Sequence, residues 1–87
     1  MKLDEEQTNI FIENINILKK LYSNNKKFFN DIGIDESLLT HWNKRKRRPS
    51  FNTICKICEK LNINIVDIVN KRIKARIIVE FEDEEGV

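Results

Sequence analysis

The spacing of apolar residues predicts a chain of short helices. From Ile10 to Tyr22, apolar side chains such as Phe11, Ile15 and Leu18 recur every three or four residues, which is the period of an amphipathic helix. The polar break at 23–25 ends this pattern and offers Ser and Asn side chains that can cap a second helix. The first element is therefore predicted as a helix over residues 10–22.

The next two helices are predicted to be separated by a tight turn. Gly33 stands where a helix over residues 25–32 must stop, because glycine adopts the left-handed conformation at little cost. Asp35 is a good N-cap for a third helix over residues 36–43. The side chains expected to point inward are Phe28, Phe29, Ile32, Leu38, Leu39 and Trp42.

Two further helices follow a proline. Pro49 disfavours helix at the residue before it, and Ser50 can cap a fourth helix that ends where Asn62 takes the left-handed conformation. A short fifth helix is predicted to start after Asn64. The buried face of this pair is expected to include Phe51, Ile54, Ile57, Cys58, Leu61, Ile65, Ile68 and Val69.

The period changes after Lys74. Ile77, Val79 and Phe81 alternate with positions that include Glu80, and such alternation is typical of a strand. One strand needs a partner edge, and the simplest partner is the same strand of a second copy. We therefore expect a homodimer formed through these three apolar residues, or, alternatively, addition of the strand to the sheet of another protein.

These elements define an all-α fold of five helices, with a short C-terminal β-strand for dimerisation. The helical domain is expected to occupy residues 1–74, and the strand and an acidic tail residues 75–87. A chain of 87 residues supports one domain without a large cleft. It has no apolar run of the roughly 20 residues that span a bilayer and no signal-peptide layout. We therefore expect a cytoplasmic protein with no membrane partner.

Charge is strongly segregated along the chain. Residues 14–76 carry 15 lysines and arginines against five acidic residues, whereas the two ends carry one lysine against nine acidic residues. Five cations are consecutive at 44–48, and like charges so close repel one another unless an anion lies nearby. A solvated loop would explain the run, but the charge pattern favours a polyanionic partner.

The predicted third helix carries side chains that can read DNA bases. A helix, a tight turn and a second helix with small polar groups in its first turn can seat that second helix in the major groove. Ser37 and Thr40 can donate or accept, His41 can donate to guanine, and Glu36 can accept from cytosine. Glu36 would alternatively stabilise the helix N-terminus through the helix dipole.

Over residues 15–70 the sequence resembles the lambda repressor and Cro-like helix-turn-helix proteins, also called the XRE family. The similarity lies in the register of a series of short matches. Those matches are Asn24-Asn25 at the start of helix 2, Phe28-Phe29, Gly33 in the turn, Trp42-Asn43, Pro49-Ser50, the helix from Phe51 to Leu61, and Ile65 to Ile68. In contrast, Phe29 replaces a usual Ala and Arg45 a customary Gly.

The resemblance implies a transcriptional regulator, more specifically a homodimeric repressor that binds a palindromic site in double-stranded DNA. Glu36, Ser37, Thr40 and His41 would contact bases. The implied phosphate contacts are Asn25, Lys26, Lys44, Arg45, Lys46, Arg47 and Arg48. The alternative on the same fold is an antitoxin or anti-regulator that binds a protein.

Other chemistry is poorly supported by the sequence. Cys55 and Cys58 have the spacing of a metal or redox pair, but no second cysteine pair exists and His41 is the single histidine. A structural zinc site generally needs four ligands, so core packing is the preferred interpretation. No nucleophile can be paired with His41 from spacing. We expect no metal, no cofactor and no enzymatic activity.

Overall fold

A computed structural model describes residues 3–74 of the chain. Five helices, and no strand, lie within these residues: α1 (Glu5–Leu21), α2 (Asn25–Ile32), α3 (Glu36–Asn43), α4 (Phe51–Leu61) and α5 (Ile65–Asn70). The predicted helical fold is thus confirmed. The predicted strand and its dimerisation residues Ile77, Val79 and Phe81 lie outside the described residues. None of the described helices is long and apolar enough to cross a membrane.

The first helix starts earlier than its apolar period suggested. Asp4 accepts from the backbone N–H of Gln7, and the Gln7 side chain accepts from the backbone N–H of Asp4. This reciprocal capping box satisfies two amides that the helix leaves free. The prediction that α1 begins at Ile10 was wrong, because capping by polar residues, rather than apolar periodicity, sets the start of this helix.

Buried side chains from all five helices form one core. Phe11 of α1 meets the Trp42 indole of α3 edge to face, with ring centroids 5.9 Å apart. Ile32 of α2, Ile57 of α4 and Val69 of α5 are each at most 1% exposed. Helix α5 packs along α1, and α4 packs against α2 and α5.

Five residues expected in the core are only partly buried: Phe29, Leu38, Phe51, Leu61 and Ile65. Phe29 and Leu38 line an open cavity of about 520 Å³ between the α2–α3 turn and α4. Ile65 lines a second open cavity beside α4. Phe29, Leu38, Leu61 and Ile65 pack against the core from its edge, so helical periodicity identified the correct face but overestimated the depth of burial.

A fully buried asparagine joins the last helix to the first. The Asn14 side-chain amide donates to the carbonyls of Ile68 and Lys71, each at 2.8 Å, and its Oδ1 accepts from the backbone N–H of Ile73 at 2.9 Å. Next to it, the Arg72 guanidinium donates to Glu13 at 2.6 Å. The end of α5 and the residues just beyond it are therefore held against α1.

Candidate nucleic-acid interface

The start of α2 is fixed by its cap. The Asn24 side chain accepts from the backbone N–H groups of Lys26 and Lys27 at 2.8 and 3.2 Å, as expected for an N-cap. Asn25 and Lys26, two of the predicted phosphate contacts, follow directly and are exposed. They line an open cavity of about 360 Å³ together with Glu36 at the start of α3. The fold thus brings the first turn of α2 beside the first turn of α3.

The turn between α2 and α3 depends on Gly33 for two reasons. Its φ is +76°, in the left-handed region that glycine adopts readily. A Cβ at this position would also come within 2.8 Å of Cε of Lys60, whose side chain crosses the turn from α4. The predicted role of Gly33 in stopping α2 is confirmed.

Helix α3 buries one face and exposes the other. Leu39 and Trp42 are 2% and 1% exposed, whereas three of the four predicted base-contacting residues, Glu36, Ser37 and Thr40, are exposed. The fourth, His41, is half-buried. The Thr40 hydroxyl donates to the Glu36 carbonyl at 3.2 Å, which leaves its oxygen able to accept. All four groups lie on one short helix.

Asp35 occupies the N-cap position of α3 but does not act as a side-chain cap. Its backbone carbonyl accepts from the N–H groups of Leu38 and Leu39 at 3.1 and 3.4 Å, so the helix begins where expected. Its carboxylate makes no hydrogen bond to the first turn. The prediction therefore gave the correct position, while the capping interaction expected there is absent from the described structure.

The predicted phosphate-contacting loop begins with a tight turn at the end of α3. The N–H of Arg45 donates to the Trp42 carbonyl at 3.1 Å and that of Lys46 to the His41 carbonyl at 3.0 Å, the pair of bonds that defines a Schellman motif. Arg45 has φ +60° at the left-handed position of the motif. Its guanidinium Nη1 also donates to the Trp42 carbonyl, at 2.8 Å.

The five cations of the loop have different surroundings. Besides the internally bonded Arg45, Arg48 faces Glu5 of α1, with Nη2 and Oε2 3.8 Å apart and both side chains well exposed. Within residues 3–74, no ion pair engages Lys44, Lys46 or Arg47, and all three are exposed. The positive potential of the loop is therefore presented mainly by these three residues.

Sequence reasoning missed a polar contact between α3 and α1. The side-chain amides of Asn43 at the end of α3 and Asn16 on α1 exchange two hydrogen bonds, at 2.8 and 3.2 Å. Asn16 also donates to the Ile12 carbonyl at 2.9 Å. This pair fixes the C-terminal end of α3 relative to α1, and no local sequence signal identifies it.

The cysteine pair lies away from this surface, on α4. Cys58 is 6% exposed and belongs to the core, and burial raises the pKa of its thiol. Cys55 is half-buried, and both thiols are free. Among residues 3–74, no group of three or more His, Cys, Asp or Glu side chains is placed to hold a metal ion.

The order of the helices, the turn at Gly33 and the exposed face of α3 define a helix-turn-helix protein. A family model described as the Cro/C1-type helix-turn-helix DNA-binding domain matches residues 12–70. The chain belongs to this family, and the resemblance noted in the sequence is confirmed. The matched region is a DNA-binding domain and contains α2, α3 and the basic loop. Neither the comparison with curated proteins nor that with solved structures gives a match.

Proposed function

We propose that the protein is a transcriptional regulator that acts as a homodimeric repressor and inserts α3 into the major groove of a palindromic operator. The observation that carries this proposal is the exposure of Glu36, Ser37 and Thr40 on a helix followed at once by exposed cations. Base edges are read by small polar groups near a helix N-terminus, and phosphates are bound by nearby cations.

The base-reading set is proposed to be Glu36, Ser37, Thr40 and His41. Glu36 accepts from a cytosine N4 amino group, and the Thr40 oxygen accepts from a cytosine or adenine amino group because its hydrogen is directed to the Glu36 carbonyl. Ser37 has the freedom to donate or accept. His41 donates to guanine from the half-buried edge of the helix.

Phosphate binding is proposed for the first turn of α2 and for the basic loop. Asn25 and Lys26 approach one phosphate strand, while Lys44, Lys46 and Arg47 approach the other side of the groove. Each cation that neutralises a phosphate releases counterions, so the logarithm of affinity falls with the logarithm of salt by about 0.9 per contact. The loop therefore supplies affinity that is independent of sequence.

The dimer is proposed to place one α3 in each half-site, about one DNA turn apart. Ile77, Val79 and Phe81 are the residues we propose for self-association, because their alternation in the sequence is that of a strand. Two-fold symmetry of the protein then requires an operator with matching two-fold symmetry.

Selection of bound sequences from random double-stranded DNA tests the proposal directly. We expect a palindromic consensus, with binding that weakens steeply as salt increases. Against this consensus, Thr40→Ala should lose about 1–3 kcal/mol of discrimination from random DNA. The matched control is Lys71→Gln at the C-cap of α5, which removes a cation far along the chain from α2 and α3 and should leave discrimination unchanged. Absence of salt-sensitive binding would overturn the proposal.

A further inference from the structure

The end of α3 contains an arginine in a conformation that arginine rarely adopts. Arg45 has φ +60°, a region in which the Cβ of an L-residue crowds the backbone. Glycine is the usual residue at this position of a Schellman motif. An arginine kept in this conformation must be held by contacts that compensate for the strain.

The structure provides such a contact. The Arg45 guanidinium folds back onto its own helix and donates to the Trp42 carbonyl at 2.8 Å, while the Arg45 backbone N–H donates to the same carbonyl at 3.1 Å. A second, longer bond of 3.5 Å reaches the Asn43 carbonyl. Trp42 is 1% exposed, so the arginine is attached to the backbone of one of the most deeply buried residues of the core.

The same turn sets the direction of the following cations. The N–H of Lys46 is bonded to the His41 carbonyl at 3.0 Å, so the path of the chain beyond Arg45 is determined by the end of the base-reading helix. Any change in the conformation at Arg45 alters the angle between the α3 polar face and the side chains of Lys46 and Arg47.

We propose that Arg45 is a positioning residue and not a phosphate contact. Its guanidinium bonds to the Trp42 carbonyl and so holds the C-terminal turn of α3, a contact we call the clasp. The clasp fixes the positions of the phosphate-binding Lys46 and Arg47 relative to the base-reading face of α3. This inference rests on the proposed DNA-binding function and deepens it. It distinguishes Arg45, which orients the loop, from Lys44, Lys46 and Arg47, which bind phosphates.

The proposal predicts different effects for two neighbouring arginines. Affinities of the full chain are measured by fluorescence anisotropy, at several salt concentrations, for the selected operator and for a random duplex. Arg47→Ala should weaken binding to both duplexes and reduce the salt slope by about 0.9 per protomer. Arg45→Ala should weaken operator binding about tenfold, the effect of one misaligned base contact, with the random duplex and the slope nearly unchanged.

Arg45→Gly provides the decisive rescue. Glycine adopts the left-handed conformation without a side chain, so this variant should recover most of the operator affinity lost in Arg45→Ala although it also lacks the positive charge. A salt slope reduced as much as in Arg47→Ala, or a glycine variant as weak as the alanine variant, would overturn the positioning role.

A measurement without DNA separates this inference from the proposed function. In urea unfolding followed by Trp42 fluorescence, Arg45→Gly should unfold at a higher concentration than Arg45→Ala. The opposite order is expected at Lys56, an exposed position in the middle of α4, because glycine destabilises a helix interior relative to alanine. If both positions showed the helix-interior order, or if Arg45→Ala unfolded at the same urea concentration as the unsubstituted protein, the clasp would be refuted whether or not the protein binds DNA.

Discussion

Replacement of Asn14 by alanine removes three hydrogen bonds at once, and the structure allows the cost to be estimated. The side chain is completely buried, donates at 2.8 Å to two carbonyls and accepts at 2.9 Å from the Ile73 N–H. Because α5 ends at Asn70, the carbonyl of Ile68 has no partner within its own helix to replace the lost donor.

Each of these bonds contributes about 1 kcal/mol net, and a buried partner left unsatisfied costs at least as much. The expected loss of unfolding free energy is therefore about 3 kcal/mol. The total stability of a domain of this size is roughly 5–10 kcal/mol, so the variant should remain folded but lose a large part of its margin. The corresponding fall in Tm is about 12–24 °C, since 1 kcal/mol shifts the Tm of a small domain by about 4–8 °C.

Urea unfolding measured through the fluorescence of Trp42, the single tryptophan of the chain, provides the assay. The matched control is Asn16→Ala, which removes an asparagine of the same helix whose side chain is only half-buried and bonds to Ile12 and Asn43. Water can replace those bonds, so we expect a loss of about 1 kcal/mol or less.

The reasoning fails if the two variants unfold at the same urea concentration. Equal midpoints would mean that the carbonyls of Ile68 and Lys71 find other partners when the Asn14 amide is absent, and that the buried bonds contribute no more than exposed ones. A loss of unfolding free energy below about 1 kcal/mol for Asn14→Ala would lead to the same conclusion.

Three further predictions concern the elements around the candidate interface. Glu5→Gln releases Arg48 from its carboxylate partner and should tighten binding to a random duplex, with a salt slope steeper by up to about 0.9 per protomer. Asn24→Ala should destabilise the fold by about 1 kcal/mol in urea unfolding, whereas Asp35→Ala should cost clearly less, because its side chain makes no capping bond. Gly33→Ala should cost about 1–2 kcal/mol, because alanine must then adopt the left-handed conformation.

Each of these predictions has an outcome that would contradict it. An unchanged salt slope for Glu5→Gln would mean that Arg48 stays away from DNA even when it is free. Equal losses for the two cap variants would mean that the Asp35 carboxylate stabilises α3 without a hydrogen bond. Full stability of Gly33→Ala would mean that both the backbone and the overlying Lys60 side chain relax at no cost.

Most of the fold could be predicted because the helix boundaries depend on residues that are close together in the sequence. Asn24 and Ser50 cap the helices that were expected to start after them, and Gly33 and Asn62 adopt the left-handed conformation at the expected ends. These signals depend on neighbours within a few residues and are readable without a structure. Family membership, too, could be inferred from their spacing.

Two kinds of feature could not be predicted: contacts between residues that are far apart in the sequence, and polar caps that lie outside the repeating apolar positions of a helix. The start of α1 depends on the reciprocal bonds of Asp4 and Gln7, which apolar spacing does not report. Asn14 is polar in sequence and yet buried, because its bonds go to backbone groups more than 50 residues away. At the end of α3, glycine normally occupies the position of Arg45. The sequence therefore could not reveal that the Arg45 side chain bonds back to the Trp42 carbonyl.

The buried Asn14 also indicates which residues a shortened chain should retain. The family match ends at residue 70, but Asn14 bonds to the Lys71 carbonyl and the Ile73 N–H. A truncation at the family boundary would leave two hydrogen-bonding positions of a buried amide vacant, whereas one after residue 74 would retain them. The capping box at Asp4 extends the segment in the other direction. For expression, fusion or crystallisation, residues 4–73 form the shortest segment that retains every partner of the Asp4 capping box and of the Asn14 side chain.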